Sequence, residues 1–519
     1  MSASSSAATS QAQSQTQSQT SRASSRLEDI LAEPPSPRIE TLDSEEEEYE
    51  DVMEDPIPAQ SQSPSLESQF SGLKLFDIPI HDTLETETSI VQEETLDTIL
   101  PYLEGNPNKF DLNSHGIPHL QRKKHVKFLE IALGEYPAQF AAMDASRPWL
   151  LYWSLQGLTA LGEDVSAYRE RIVYTFQSCQ HPTGGFGGGH GQLPHLAGSY
   201  ASILSLVIVG TPLAYTSIHR RAMWHYLGHM KQPSGGFTMA ANGEEDIRGA
   251  FCAMVILSLL NLPLELPSDA PARKKGMTGF LDGLGEWIGR CQSYEGGISA
   301  APGNEAHGAY AFCGLACLCI LGAPATTLPK YLDMDLLIHW LSSRQCAPEG
   351  GYNGRTNKLV DGCYSHWIGS CWSLVEAAVS GKKKEQMRSL WDRNALARYI
   401  LSAAQSKKGG LIDKPGKRPD AYHTCYNLAG LSAVQNRYYY DAEEEEDGGV
   451  KISDEDGEKG EMTTTLDASF KWKVELGKGV GKERVWDDED QVNVVHPVFI
   501  VPWGQAEKCR QYFEENPGF

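Results

Sequence analysis

The repeat that decides the fold is clearest in the stretch Gly184-Gly185-Phe186-Gly187-Gly188-Gly189, which is followed by the apolar helical pattern Ser199-Tyr200-Ala201-Ser202-Ile203-Leu204-Ser205-Leu206. The chain repeats this order: an apolar helical pattern, a turn that contains Gln or Arg and ends in Gly-Gly, a loop, and a second apolar helix. The glycine pairs begin 51, 61, 54 and 59 residues apart. They are Gly184-Gly185, Gly235-Gly236, Gly296-Gly297, Gly350-Gly351 and Gly409-Gly410. Two helices in a repeat of this length predict an array of helical hairpins.

Such hairpins either stack into an open solenoid or close into a ring. The helices after the loops, such as Ser199–Leu206 and Ala250–Leu257, are apolar nearly all round, which is typical of buried helices. Unusual residues lie in the loops after Gly-Gly, and the following helices carry aromatic residues that would crowd an inner wall. We therefore predict an all-α fold, an alpha-alpha barrel with a closed double ring of helices and a central aromatic cavity. An open array of the HEAT kind is the alternative.

The acidity of the chain is confined to two segments. The formal net charge is -23, and residues 1–55 carry 13 acidic and 3 basic side chains while residues 441–490 carry 18 and 7. Both segments are polar and poor in aliphatic residues, so we predict a disordered Ser/Gln-rich and acidic tail at 1–70 and a disordered acidic insertion at 441–490. The barrel is placed at 71–440, and a C-terminal segment that packs on it is placed at 491–519.

Composition also limits location and partners. No stretch is apolar enough for a membrane span or for a secretory signal peptide. The 11 cysteines show no paired spacing, which favours a reducing compartment over a disulfide framework. We expect a cytoplasmic protein with no direct membrane insertion, and its near-neutral body gives no reason to expect a nucleic-acid partner.

The run Gly354–Tyr364, with the sequence GRTNKLVDGCY, contains a carboxylate and a thiol two residues apart, Asp361 and Cys363. Inside a helix two such side chains point about 200° apart, but they can converge in a loop or a first helical turn. The apolar residues that follow predict a helix beginning here, and its dipole would favour the thiolate. By itself an Asp-x-Cys pair is weak evidence for a metal, because buried free cysteines are common.

His423 could complete a zinc site. One oxygen, one sulfur and one nitrogen ligand would leave the fourth tetrahedral position open, as in catalytic zinc sites. Spacing does not exclude Cys425 or His366 as rival ligands. A lone histidine before an apolar helix is also more often a core residue than a ligand.

Several hydrogen-bond donors near these residues suit a diphosphate. Arg355 and Lys358 precede the candidate ligands, Tyr364 follows them, and His307 lies in the equivalent loop one repeat earlier. Arginine can bind phosphate oxygens with two parallel hydrogen bonds. Ordinary surface cations are the alternative, but Arg355, Lys358, Asp361 and Cys363 fall within nine positions.

Several long motifs, taken in order, closely resemble those of the beta subunits of protein farnesyltransferases. They are Asp144–Trp149, Gly184–Gly189, Glu305–Gly308, Gly354–Tyr364, Asp413–Lys417 and Tyr422–Tyr426. The resemblance runs from about Thr88 to Gln435 and resumes at His496–Phe499. It implies an alpha-alpha barrel of the prenyltransferase and terpenoid cyclase type, paired with an alpha subunit that is a separate chain.

The resemblance also implies an activity, the transfer of farnesyl from farnesyl diphosphate to the cysteine thiol of a C-terminal CaaX sequence. Asp361, Cys363 and His423 would bind one zinc ion, which receives the substrate thiol. The remaining expected roles are diphosphate binding by His307, Arg355, Lys358 and Tyr364, magnesium binding by Asp413 to assist diphosphate departure, and lining of the isoprenoid and peptide pockets by Trp149, Trp153, Arg248, Phe251, Tyr310 and Trp367.

Three positions depart from the family pattern. Phe251 stands where tyrosine is common, Ala309 replaces a glycine, and His190 replaces a proline in the glycine-rich loop. None of them removes a proposed ligand. The long acidic stretch at 441–490 interrupts the C-terminal part of the family pattern.

Other functions remain open at this point. The beta subunit of a type I geranylgeranyltransferase would share the zinc site. Two residues of this chain argue against that alternative: Trp149 would shorten the isoprenoid pocket, and the resemblance suggests that the longer-chain enzyme has no magnesium-binding carboxylate at the position of Asp413. A terpene cyclase would need an acidic protonation motif in place of the cysteine ligand. A non-catalytic barrel scaffold is a third alternative, and zinc content would distinguish it.

Overall fold

Helices dominate the residues that the computed structural model describes, which are 83–380, 389–441, 466–476 and 484–518. Their bounds are α1 (Glu87–Glu104), α2 (Arg122–Ala132), α3 (Arg147–Ala160), α4 (Arg169–Cys179), α5 (Leu196–Val209), α6 (Pro212–Thr216), α7 (Arg220–Met230), α8 (Ile247–Leu259), α9 (Leu284–Arg290), α10 (Gly308–Leu321), α11 (Pro324–Tyr331), α12 (Met334–Ser342), α13 (Tyr364–Trp367), α14 (Gly369–Ser380), α15 (Arg393–Arg398), α16 (Ala421–Gln435) and α17 (Gln505–Glu515). A π-helical turn, Tyr399–Ala403, continues α15. Strands β1 (Arg437–Tyr440) and β2 (Trp472–Glu475) pair in antiparallel fashion.

An inner ring is built from α3, α5, α8, α10, α13 with α14, and α16. Each of these segments contacts the next, and α16 contacts α3, so the ring closes. Every residue of α5 is buried. A helix without a polar face must be covered on all sides, and a closed ring with a second layer outside it provides that cover. The predicted closed double ring is confirmed, and the open array is wrong.

The Gly-Gly turns join the helices of the outer layer, α2, α4, α7, α9, α12 and α15. At Gly296 the backbone φ is +98°, and a Cβ atom would lie 2.1 Å from the carbonyl oxygen of Leu336 in α12. At Gly409 φ is +104°, and a Cβ would lie 2.4 Å from the carbonyl oxygen of Lys124 in α2. Only glycine tolerates both conditions. The last turn therefore packs on the first outer helix, which closes the outer ring as well.

A glutamine at the start of the turn links each hairpin to the next. Gln292 donates from Nε2 to the carbonyl oxygens of Gly296 and Asp333, at 2.9 Å each, and accepts from the Asp333 N–H at 2.8 Å. Gln345 forms the same set of bonds with Gly350 and Asp392. These bonds satisfy backbone groups that the turn would otherwise leave without partners.

Lys231 takes the place of this glutamine in the second unit. Its side chain is completely buried, and Nζ donates to the carbonyl oxygens of Gly235 at 2.7 Å and Asp282 at 2.8 Å. Burial lowers the pKa of Lys231 to about 7. A neutral amine still has two N–H groups, which is enough for both carbonyl oxygens.

The C-terminal ends of the inner helices contact the last part of the chain. The Asn493 N–H donates to the carbonyl of Ala160 in α3, and the Val492 N–H donates to Gln435 Oε1 in α16. Helix α17 packs on α5 and α8. Among the described helices, none combines the length and the apolarity needed to cross a membrane.

The predicted insertion at 441–490 needs a correction. Strand β2 lies inside this range, and Trp472, Val485 and Trp486 are buried there, so the folded body extends further into the acidic segment than its charge indicated. Burial of such large apolar side chains offsets the unfavourable composition locally. Residues 442–465 and 477–483, like the predicted tail at 1–70, lie outside the described residues.

Candidate metal and diphosphate site

The residue eleven positions after the first glycine of each pair accepts a hydrogen bond from the start of the next inner helix. These residues are His195, Asp246, His307, Asp361 and Asp420. Their acceptor atoms bond backbone N–H groups two or three residues further on, at 2.7 to 3.2 Å. Such bonds satisfy N–H groups that the first turn of a helix leaves without partners. The repeat therefore places one polar side chain at the same end of each of these inner helices.

Asp361, Cys363 and His423 converge at this end of the ring. Their ligand atoms all lie within 4.8 Å of one another. Nε2 of His423 lies 3.2 Å from Asp361 Oδ1, and this buried nitrogen has no well-aligned hydrogen bond. An oxygen, a sulfur and a nitrogen with one unsatisfied buried nitrogen suit a zinc ion that keeps one position open.

Asp420 fixes the orientation of the His423 ring. Its carboxylate accepts from the His423 N–H and lies 2.7 Å from Nδ1 through its second oxygen. Nδ1 is therefore the donor to Asp420, and Nε2 faces Asp361 and Cys363. A carboxylate behind a ligating imidazole sets the tautomer and raises the basicity of the ligand. This role of Asp420 was not predicted from the sequence, although the eleven-residue offset from Gly409 marks the position.

Without a bound cation, a proton on His423 balances the carboxylates of the site. Burial by itself lowers the pKa of His423, but Asp420 and Asp361 hold it well above its ordinary value. Against the opposite effect of burial, His423 and Lys414 hold the pKa of Asp361 below its ordinary range. Paired in this way, Asp361 is an anion available to a metal.

Burial raises the pKa of the Cys363 thiol, and the charge of Asp361 adds to the effect. The prediction that the helix dipole favours the thiolate is wrong for the protein without a bound cation. Helix α13 is only four residues long, so desolvation of the buried sulfur outweighs its dipole. A divalent cation would displace the thiol proton.

The two rival ligands lie outside this cluster of ligand atoms. His366 bonds Ser370 Oγ through Nδ1 at 2.8 Å, and its ring stacks on Tyr426. Cys425 is buried within α16. The tertiary structure thus resolves an ambiguity that spacing left open.

His307 and Tyr364 meet across two inner helices, with Tyr364 Oη 2.9 Å from His307 Nε2. Nδ1 of His307 accepts from the Ala309 N–H, so in the neutral ring Nε2 carries the proton and donates to Tyr364. Burial, followed by the charges of Arg355 and Arg248, lowers the pKa of His307 to about 4. The ring is therefore neutral near pH 7.

The other predicted diphosphate and magnesium residues lie around this pair. Arg355 is partly exposed and lies 2.8 Å from Glu305. Lys358 is exposed and forms no side-chain ion pair within the part of the chain that the structure describes. Asp413 pairs with Lys414 at 2.5 Å, and burial, followed by the charge of Asp361, raises the pKa of Asp413 to about 6. The structure brings Asp413 next to the candidate ligands and leaves Arg355 and Lys358 near solvent.

Aromatic side chains form a closed circuit around the inner wall. Neighbouring ring centroids lie 4.5 to 5.9 Å apart in the order Trp149, Trp153, Tyr422, Tyr426, Trp367, Phe312, Phe251, Tyr200 and back to Trp149. Four of these residues were predicted from the sequence to line the pockets, and Tyr200, Phe312, Tyr422 and Tyr426 were not. An aromatic residue in an apolar helix looks like ordinary core, and only closure of the ring shows which ones face inward.

Arg248 and Tyr310 belong to the rim of this wall. Arg248 binds both oxygens of Asp246, at 2.8 and 2.7 Å, and its guanidinium lies 5.4 Å from the centroid of the Tyr310 ring. The Tyr310 ring in turn lies 5.0 Å from the His307 ring. Asp246 therefore positions a cation beside the histidine that contacts Tyr364.

Comparison with known proteins relates this geometry to one family. A model of the prenyltransferase alpha-alpha toroid domain matches residues 120–501. The protein farnesyltransferase subunit beta of Pyricularia oryzae is 48% identical over 452 residues, covering 85% of this chain and 83% of that protein. Its counterpart in Schizosaccharomyces pombe is 34% identical over 429 residues, covering 82% and 97%.

A solved structure shows the same fold. It is Candida albicans protein geranylgeranyltransferase-I complexed with GGPP, with a TM-score of 0.53 and 20% identity over 77% of this chain and 100% of that one. At that identity the likeness concerns the architecture alone.

Proposed function

Since this chain belongs to the protein farnesyltransferase beta subunits, within the prenyltransferase alpha-alpha toroid family, we propose that it is the catalytic half of a zinc-dependent heterodimer with an alpha subunit. The reaction forms a bond between a protein cysteine sulfur and C1 of farnesyl. The bond from C1 to diphosphate breaks, and diphosphate leaves with the electron pair. The protein substrates end in CaaX with a small or polar last residue.

The observation that carries this proposal is the convergence of Asp361, Cys363 and His423, with an unsatisfied buried Nε2 among them. The three residues would hold zinc, which supplies a thiolate by lowering the pKa of the substrate thiol. Asp420 holds the imidazole in the tautomer that presents Nε2. Cys363 is buried, which protects its sulfur from solvent.

The residues next to the candidate ligands suit the leaving diphosphate. The linked pair His307 and Tyr364, with Arg248 and Arg355 nearby, offers donors and positive charge where negative charge develops. Lys358 adds a mobile cation on the same loop. Asp413 fits a magnesium ion, because Mg²⁺ usually takes one or two protein carboxylates together with phosphate oxygens.

A fifteen-carbon donor fits the aromatic wall better than a twenty-carbon donor. Trp149 stacks on Trp153 at 5.5 Å and also contacts Tyr200, so three large rings occupy one side of the circuit. Bulk at this position would leave less room for a longer isoprenoid. We expect Trp149→Ala to raise turnover with the twenty-carbon donor relative to the fifteen-carbon donor, and Trp224→Ala, on the outer layer, to leave that ratio unchanged.

The deciding experiment is co-expression with an alpha subunit, followed by assay with fifteen- and twenty-carbon diphosphates, with and without magnesium. We expect stoichiometric zinc, preference for farnesyl diphosphate, and faster turnover with magnesium. Magnesium-independent turnover with preference for the twenty-carbon donor would assign the chain to the geranylgeranyltransferase alternative. Absence of zinc and of transfer to any CaaX peptide would favour the scaffold.

A separate measurement tests the diphosphate residues. Removal of a charged hydrogen-bond donor typically costs about 1.5–3 kcal/mol, so Arg355→Ala should weaken farnesyl diphosphate binding about 10- to 100-fold. Arg273→Ala is the matched control, because Arg273 also forms an exposed ion pair, with Glu265, away from the site. Equal affinity of the two variants in a direct titration would remove Arg355 from the proposal.

A further inference from the structure

Two histidines on the outer surface share one carboxylate. His225 and His229 are one helical turn apart on α7, and the structure places Asp269, from the connection between α8 and α9, between them. Nδ1 of His225 lies 2.8 Å from Asp269 Oδ1, and Nε2 of His229 lies 3.1 Å from Oδ2. All three side chains are between one third and one half exposed. None of them takes part in the proposed farnesyl transfer.

The backbone holds the carboxylate against the helix. Gly228 lies between the two histidines in sequence, and a Cβ there would come within 2.3 Å of the Pro267 ring, so the connection can approach α7 only at a glycine. Trp224 Nε1 donates to the carbonyl oxygens of Pro263 and Glu265 at 3.1 and 3.0 Å. The neighbouring Ala270 is 1% exposed. Asp269 is therefore anchored on both sides.

We infer that His225, His229 and Asp269 form a second divalent-metal site, of the zinc type, on the outer layer of the ring. Two imidazoles and a carboxylate are ligands that zinc prefers, and histidines four residues apart on a helix can reach one ion. The fourth position is open to water.

The present arrangement is a hydrogen-bonded one, which a bound metal ion would replace. The two nitrogens now bind opposite oxygens of the carboxylate, so the ligand atoms do not yet share one point. Zinc bonds of about 2.0–2.1 Å at tetrahedral angles imply nitrogen-to-oxygen distances of about 3.4 Å. To admit the ion, both imidazoles must turn toward one point, because these three residues are not among the described groups whose ligand atoms already converge. Exposed side chains on a rigid backbone can make that change.

Charge and access also fit a cation. Asp269 supplies a carboxylate directly beside the two imidazoles. The three residues line a groove of about 1430 Å³ that is open to solvent. His181 and His219 line the same groove. An ion can therefore reach the site without any opening of the barrel.

Zinc binding to the full-length chain, purified with its alpha subunit and without a polyhistidine tag, tests the inference. In competition with a chromophoric chelator, the wild type should bind two zinc ions and Cys363→Ala should bind one. Asp269→Asn and His229→Ala, each added to Cys363→Ala, should weaken the remaining event about 10- to 100-fold. Asp335→Asn and His219→Ala, also in that background, are the controls and should leave it unchanged.

Cobalt distinguishes the two sites spectroscopically. The site with Cys363 should show a sulfur-to-cobalt charge-transfer band, and the site with His225 and His229 should not. Asp269→Asn should leave farnesyl transfer unchanged. Equal zinc affinity of Cys363→Ala with and without Asp269→Asn would overturn the second site, whatever the outcome for the first.

Discussion

The Gly-Gly turns and the positions eleven residues after them belong to the same repeat but follow different rules. Four of the five turns begin with glutamine, and in each of these the side chain bonds the backbone of a neighbouring hairpin. The later positions carry His, Asp, His, Asp and Asp, yet all accept the same kind of backbone hydrogen bond. Only glycine is tolerated where the Cβ position of a turn residue would meet a carbonyl oxygen. Several residue types can cap a helix.

This difference shows where the repeat had room for chemistry. A capping side chain uses only one of its polar atoms on the backbone, so the other can act elsewhere. His307, Asp361 and Asp420 follow three consecutive turns. His307 and Asp420 use their second polar atom to contact Tyr364 and to orient His423, whereas Asp361 faces His423 with the same Oδ1 that caps the helix. The candidate site is therefore assembled from capping positions of adjacent hairpins.

The largest expected effect separates two caps. Asp361→Ala removes a cap and a proposed metal ligand, so we expect zinc loss and a fall in turnover of about 10³-fold. Asp246→Ala removes an equivalent cap without touching a proposed ligand. Both should cost more than the ~1 kcal/mol of a helix cap, because Asp246→Ala also leaves the guanidinium of Arg248, and Asp361→Ala the imidazole of His423, without a carboxylate partner. Zinc analysis of the two purified variants checks this prediction. It is contradicted if both variants lose zinc or if both keep it.

The next effect tests the turns. Gly296→Ala combines a positive φ with a close carbonyl oxygen, so the free energy of unfolding should fall by about 3 kcal/mol or more. Gly303→Ala is a matched control, because Gly303 has φ +87° but nothing within 4 Å of its Cβ position. It should cost about 1 kcal/mol. Denaturant titrations that give equal losses would refute close packing as the reason for the glycine.

A third prediction concerns the protons that His423 and Cys363 carry next to the capping carboxylates. Without zinc both His423 and Cys363 hold a proton near neutral pH, so zinc binding should release two protons. Affinity should then rise about 100-fold for each unit of pH. Asp420→Asn removes a carboxylate that raises the pKa of His423, and its slope should move toward one proton. Calorimetry in buffers of different ionisation enthalpy measures the release, and a wild-type value near zero would contradict the assignment.

The smallest effect compares Lys231 with the turn glutamines. Its pKa is about 7 in the folded chain and 10.5 ordinarily, so between these values the unfolded chain binds the extra proton. Stability therefore rises with pH from about 7 to 10.5, and the full penalty is present below pH 7. Lys231→Gln should be more stable than the wild type at pH 7, with an advantage that shrinks by about 2 kcal/mol by pH 9. Denaturant titrations at the two pH values check this. A difference in the free energy of unfolding that does not change with pH would mean that folding does not lower the pKa of Lys231.

Much of the fold could be predicted from the chain because glycine pairs and all-apolar helices leave few packings open. The predicted location of Asp361 and Cys363 beside a helix start was also correct, as α13 begins at Tyr364. The boundary of the acidic insertion was predicted wrongly from its charge, because a few buried residues such as Trp472 and Trp486 hold parts of a polar segment in place. Thiol acidity was misjudged for a related reason, since burial is invisible in a motif.

By itself the sequence determined the repeat, the array of helical hairpins and the residue types available for metal and phosphate. These follow from local backbone demands and from apolar faces that must be covered. Only the tertiary structure decided that His423, and not His366 or Cys425, joins Asp361 and Cys363, that Asp420 orients it, and which aromatic rings face inward. Those outcomes depend on distances between hairpins far apart in the chain, and ring closure sets these distances.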